Sequence, residues 1–119
     1  NLFSAYLESN NVESIDKIRS FRMDGWRSLS NKYLILTTSP KKYYLLGLKN
    51  RCQNLTFANA IIVNRSIGSI LSTKFDSIAA LEYPLFKCHI ESIYKLTKQQ
   101  KTEIEQLRQP PKDQESDDN

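Results

Sequence analysis

The sequence predicts a mainly β domain, a small antiparallel sheet or partly closed barrel with a C-terminal helix. Three observations carry that expectation. Residues 33–38 and 43–48 are short runs rich in Tyr, Leu, Ile and Thr, separated by Ser39-Pro40-Lys41-Lys42. Further apolar runs of strand length recur at 60–63, 67–71, 78–81 and 86–94. Only after them does Thr97-Lys98-Gln99-Gln100 supply a capping box, the signature of a helix start.

In chain order, Leu2, Phe3, Tyr6 and Leu7 have helical spacing over a short span. In FRMDGWRSL, Asp24-Gly25 suits either a two-residue hairpin or a glycine bulge within one longer strand. Pro40 presets φ for the second position of a tight turn, so 33–48 is expected to fold as a hairpin. On its second strand Tyr44, Leu46 and Leu48 share one face, with Tyr43, Leu45 and Gly47 opposite. Pro84 separates the last two strands. In the helix, Lys101 and Glu105 are four apart, as are Ile104 and Arg108, and Pro110-Pro111 is expected to end it. The expected division is a flanking segment 1–11, a two-cysteine β domain 12–96, a helix 97–109 and a tail 110–119.

A chain of 119 residues fits one domain with one modest core, and 39% apolar with 25% charged residues is ordinary globular composition. Uninterrupted apolar stretches such as Ala60-Ile61-Ile62-Val63 fall far short of a membrane-spanning helix. The chain begins at Asn1, without an initiator methionine, which is compatible with a removed export signal or with trimming. The net charge of +4 is unevenly spread. Residues 17–51 carry Lys17, Arg19, Arg22, Arg27, Lys32, Lys41, Lys42, Lys49 and Arg51 against Asp24 alone, whereas PPKDQESDDN at the end is acidic. Such a tail has no apolar groups to offset its ordering entropy and is expected to be disordered when free, and to be ordered only where a partner holds it.

The two cysteines, Cys52 and Cys88, decide which compartments and chemistries stay open. On a strand, Cys88 and Ile90 share a face and His89 points the other way, which separates thiol from imidazole and disfavours a nucleophile pair. Two cysteines and one histidine, without Cys-x-x-Cys spacing, make a poor metal set. Two buried free thiols remain one alternative. A Cys52–Cys88 disulfide is the other, favoured by the even count and wide spacing, and it implies an oxidising compartment.

The run Phe21-Arg22-Met23-Asp24-Gly25-Trp26, then Tyr44-Leu45-Leu46 with Leu48, Cys52-x-x-Leu55-x-Phe57-Ala58-x-Ala60-Ile61, Phe75-Asp76 and Cys88-x-Ile90-x-x-Ile93-Tyr94-x-Leu96, resembles a family of small exported proteobacterial proteins. Many of its members are lipoproteins, and it is known only as a domain of unknown function. The resemblance spans about residues 12–104 and leaves out the first ten residues and the acidic tail. It implies an envelope location and a Cys52–Cys88 bridge, and it supplies no catalytic residues.

For binding, Arg22, Trp26, Arg27, Lys41, Lys42 and Tyr43 form a candidate interaction patch of cations interleaved with rings. Such a set could meet phosphates and bases, anionic lipid headgroups or an acidic protein face. Asp16, Asp24, Asp76, Glu82 and Glu91 are too scattered for an acid/base pair, and Asp76 is expected at a turn or strand entry. Asn54-Leu55-Thr56 and Asn64-Arg65-Ser66 match only the short glycosylation pattern, and Gly68 lacks the partners of a phosphate loop. No cofactor or small-molecule substrate is therefore expected. The expectation is a non-enzymatic, periplasmic interaction subunit acting through envelope proteins in a multi-subunit assembly, such as the outer-membrane-associated core of a secretion system. The alternatives are a free periplasmic binding module for an anionic lipid or glycan, and a nucleic-acid-binding β domain.

Overall fold

The structure, a computed structural model, describes residues 1–39 and 41–108. The Pro40 turn residue, the Pro110-Pro111 stop and the acidic tail lie outside the described residues. The fold is mainly β, an antiparallel half-barrel with a C-terminal helix, as the sequence predicts.

The elements run α1 (Leu2–Ser9), β1 (Glu13–Ile15), β2 (Lys17–Ile18), β3 (Met23–Ser28), β4 (Tyr33–Thr38), β5 (Lys42–Leu48), a 3-10 turn (Leu55–Phe57), β6 (Ile61–Asn64), β7 (Leu71–Ser72), β8 (Ser77–Ala80), β9 (Cys88–Leu96) and α2 (Lys98–Gln106). The main sheet is ordered β3-β4-β5-β9-β8-β6, while β2 and β7 form a separate ribbon. The long strand β9 organises it. On one side it pairs with β5 along its length; on the other it pairs first with β8, through His89 and Cys88, and then with β1, through Ile93, Tyr94 and Lys95.

The expected hairpin is present, with Thr38 opposite Lys42 and Tyr33 opposite Gly47. Of the two expectations for Asp24-Gly25, the bulge is correct: Met23 faces Thr38 and Gly25 faces Thr37, so Asp24 is the extra residue in β3. The segment 67–71 differs from the expected strand. Ile70 N donates to Ile67 O at 3.0 Å, and Gly68 sits at φ +38°, so this is a tight turn leading into β7.

Both faces of the central strands are buried. Leu34, Leu36, Tyr44, Leu46, Leu48, Ile78, Ile90 and Ile93 fill the concave side together with both cysteines. Ile35, Leu45 and Leu96 pack on the other side against Phe3 and Leu7 of α1 and Ile104 of α2. Each fully buried Leu or Ile contributes about 1.5–3 kcal/mol by leaving water, which explains why β4 and β5 are almost continuously apolar rather than alternating. A strict two-residue period would put Ile90 and Ile93 on opposite faces. A second bulge reconciles them: Gly47 faces Ser92 and Leu48 faces Ile90, leaving Glu91 as the extra residue in β9. At Gly47 the backbone is crowded, since a Cβ there would meet Ser92 Oγ and come within 3.2 Å of the Tyr33 ring.

The helices are held as their caps require. Thr97 Oγ1 accepts from Gln100 N, and Gln100 Oε1 accepts from Thr97 N, both at 3.0 Å. The i,i+4 pair Lys101–Glu105 closes at 2.9 Å. Tyr6 of α1 donates its hydroxyl to Glu103 of α2, joining the two helices. That bond and the Gln99 amide hold the Glu103 carboxyl below its usual range, against a smaller opposing effect of desolvation. Burial, followed by the hydrogen bond to Glu103 and the charge of that carboxylate, pushes the Tyr6 hydroxyl up to about 12.

The linkage has a definite sign. The Glu103 contribution is present above the ordinary glutamate pKa near ~4.3 and is lost as pH falls through the depressed folded value. The Tyr6 contribution is complete below the ordinary tyrosine value near ~10 and is lost as pH rises through about 12. Tyr6→Phe is therefore expected to be less stable than the parent near neutral pH, with the gap narrowing in acid. Thermal unfolding of both proteins across a pH series measures this, and a gap that stays constant into acid would contradict it.

Candidate functional site: a buried disulfide beneath an apolar loop

Cys52 and Cys88 form a disulfide with a Cα separation of 5.6 Å, and both residues are buried in the concave core. Asn31 positions the Cys52 side of the bridge. Its carbonyl accepts from Cys52 N at 2.6 Å, and its side-chain oxygen accepts from Thr56 N and Thr56 Oγ1 at 2.8 Å each. The Cys88 side is fixed by β9, where Cys88 and Ile90 face the core and His89 faces solvent, as the strand period predicts. A thiolate attacking this bond would have to enter the packed core, so its position suits a structural staple.

Directly before Cys88 the chain leaves the body. Residues 81–87 are all exposed, with Leu81 54%, Tyr83 45%, Leu85 91% and Phe86 48% accessible. Two successive turns shape this loop: Tyr83 N donates to Ala80 O at 2.9 Å and Phe86 N to Tyr83 O at 3.0 Å. Leu81 N bonds Ala60 O at 2.9 Å, tying the loop entry to β6. Exposed aliphatic and aromatic groups are thus concentrated in one short loop. Pro84 indicated the break between strands, but nothing in the sequence distinguished these apolar residues from core residues.

The predicted patch residues occupy several places. Lys41, Lys42 and Tyr43 line a groove of about 400 Å³ together with Lys95, Leu96 and Lys98. Lys101 of α2 sits over the Tyr43 ring at 5.3 Å. Lys95 of β9 and Lys98 of α2 are remote in sequence from Lys41 and Lys42 and reach the groove because β5 pairs with β9. Arg27 lies on the α2 side, 3.8 Å from Glu105, while Trp26 on the other face of β3 packs half-buried against the concave core. Arg22 lines a separate groove of about 510 Å³ with Phe21, Met23, Val63, Arg65 and Ser69, between β3 and the end of β6. There Arg65 lies 5.7 Å over the Phe21 ring and donates to Phe21 O at 3.4 Å. Tyr44 is buried in the concave core, where burial raises its hydroxyl pKa.

Asp76 is at strand entry, as its sequence context predicts, and it is buried. Its two carboxylate oxygens accept from Ser66 N at 2.8 Å and Ser72 N at 2.7 Å, pinning the 66–72 segment to the start of β8. Among the described residues no group of three or more His, Cys, Asp and Glu could hold a metal ion, and no helix is long and apolar enough to cross a membrane.

Fold and site together define a disulfide-stapled β half-barrel carrying an apolar loop at the staple. The chain belongs to a family of unknown function, DUF6491, which matches residues 3–114. The match extends beyond the expected 12–104 at both ends, taking in α1 and part of the tail. No curated protein and no solved structure matches the chain.

Proposed function

We propose that this domain is a non-enzymatic interaction subunit of the bacterial cell envelope, exported to an oxidising compartment, and that it acts by protein–protein contact within a larger assembly. The observation that carries the proposal is the buried Cys52–Cys88 disulfide, because such bonds persist in the periplasm and are rare in a reducing cytosol. The half-barrel adds support. β3 and β6 end the strand order, and their outer edges have no strand partner among the described residues, leaving backbone groups available for strand addition. An accessory place in an outer-membrane-associated secretion core is one assembly that fits this description.

Affinity isolation of the full chain from native membranes, followed by mass spectrometry, tests the proposal. A reproducible, stoichiometric set of envelope proteins is the expected result. Recovery of the chain alone would overturn it.

The lysine groove favours a second function, binding of an anionic glycan. Lys41, Lys42, Lys95 and Lys98 surround Tyr43 and Leu96, and none of the four lysines has an ion-pair partner among the described residues. Binding at that groove would weaken steeply with salt and be abolished by Lys41→Glu with Lys42→Glu.

A further inference from the structure

We propose that the loop 81–87 is a membrane-docking element that inserts Leu85 and Phe86 into the surface of an anionic bilayer. Leu85 is 91% exposed at the tip, and Leu81, Tyr83 and Phe86 are about half exposed beside it. Leaving so much apolar surface in water is costly for a loop whose backbone is already shaped by two turns. The depression of about 470 Å³ that Glu82, Tyr83, Pro84, Leu85 and Phe86 line is open to solvent rather than enclosed, which suits contact with a surface better than capture of a small ligand. Tyr83 has the amphipathic character that suits the headgroup level, while Leu85 and Phe86 suit the acyl boundary.

The charge around the base of the loop selects the lipid. Lys87 precedes Cys88 and Arg51 precedes Cys52, so each of these exposed cations is one residue from the disulfide, whose Cα atoms lie 5.6 Å apart. Lys49 joins them, since its backbone N donates to His89 O at 2.9 Å. None of the three has an ion-pair partner among the described residues, and Glu82 is the one carboxylate in the loop. An apolar tip collared by cations is complementary to a negatively charged bilayer, where each cation near the surface adds to the attraction. The staple thereby acquires a second role: it fixes the loop base so that tip and collar meet the surface together. The lysine groove lies at the other end of β9, where Leu96 and Lys95 line it, a strand's length from the loop base at Cys88.

The inference deepens the proposed envelope function by naming a lipid contact for it. The purified chain is tested alone, so failure to bind lipid leaves the protein-assembly proposal standing, and failure to capture envelope proteins leaves the lipid contact standing. Co-sedimentation is measured with phosphatidylcholine vesicles, with and without phosphatidylglycerol. Binding is expected to the anionic vesicles and to be much weaker to the neutral ones. Leu85→Asp with Phe86→Asp is expected to reduce binding about a hundredfold or more, from the apolar area no longer buried. Arg51→Glu with Lys87→Glu removes the preference for phosphatidylglycerol, whereas Lys41→Glu with Lys42→Glu retains binding.

Should the double-aspartate variant fail to fold, Leu85→Trp decides. Its emission shifts to the blue on vesicle addition and is quenched by brominated acyl chains. No binding to anionic vesicles, undiminished binding of a folded double-aspartate variant, loss of binding on changing the groove lysines, or an unquenched Trp at position 85 would each overturn the proposal. In the first case the apolar tip belongs to a protein contact instead.

Discussion

Replacing both cysteines by alanine, or reducing the bridge, is expected to lower the unfolding free energy by about 4 kcal/mol. The bond joins residues 36 apart in sequence, and the chain-entropy model assigns that much to the freedom the open chain regains on unfolding. A small domain has few kilocalories to spare, so the melting temperature should fall by roughly 15–20 °C. The double alanine variant is the better probe than serine, because both positions sit among Leu36, Leu48, Leu55 and Ile90, where a hydroxyl would add a desolvation cost of its own. Denaturant unfolding with and without reductant measures the effect. A loss below about 1 kcal/mol would show that the bridge is incidental to the fold.

Asp76→Ala is expected to cost about 2–4 kcal/mol. The carboxylate is almost inaccessible, and each oxygen satisfies one backbone donor, Ser66 N or Ser72 N. Such charge-assisted bonds are stronger than neutral ones, and removing the acceptor leaves two donors without partners in a buried setting. Asp76→Asn keeps one acceptor and turns an amide toward the other donor, so it should lose less than alanine but more than a surface change. The effect should be local as well as global. Amide exchange at Ser66 and Ser72 should quicken before exchange in the β4–β5 hairpin does. A near-neutral Asp76→Ala would mean that water replaces the carboxylate, and the segment is then not held as described.

What the sequence made legible was local. The capping box at Thr97 and Gln100, the β4–β5 hairpin and the opposed directions of Cys88 and His89 all follow from short-range backbone rules, whereas Asp24-Gly25 fitted a hairpin as well as the bulge that the β3–β4 register reveals. What it concealed depends on long-range pairing. The bulge at Glu91, which brings Ile90 and Ile93 onto one face, is visible only once β5 is laid against β9. The same pairing carries Lys95 and Lys98 to Lys41 and Lys42, so the lysine groove combines residues that the sequence separates by more than fifty positions. The loop was hidden for another reason. Leu81, Leu85 and Phe86 have the composition of buried residues, and composition cannot say which side of the surface they occupy. At 67–71 an apolar pattern suggested a strand, but Gly68 at positive φ allows a turn there that pattern alone would not favour.

The state of the two cysteines in living cells tests the central claim most directly. Cells are quenched in acid, free thiols are alkylated with a mass-tagged maleimide, and the protein is separated with and without prior reduction. An extracytoplasmic, stapled interaction domain predicts no tag before reduction and two tags after it. Two tagged cysteines in unreduced samples would place the protein in a reducing compartment and contradict the account.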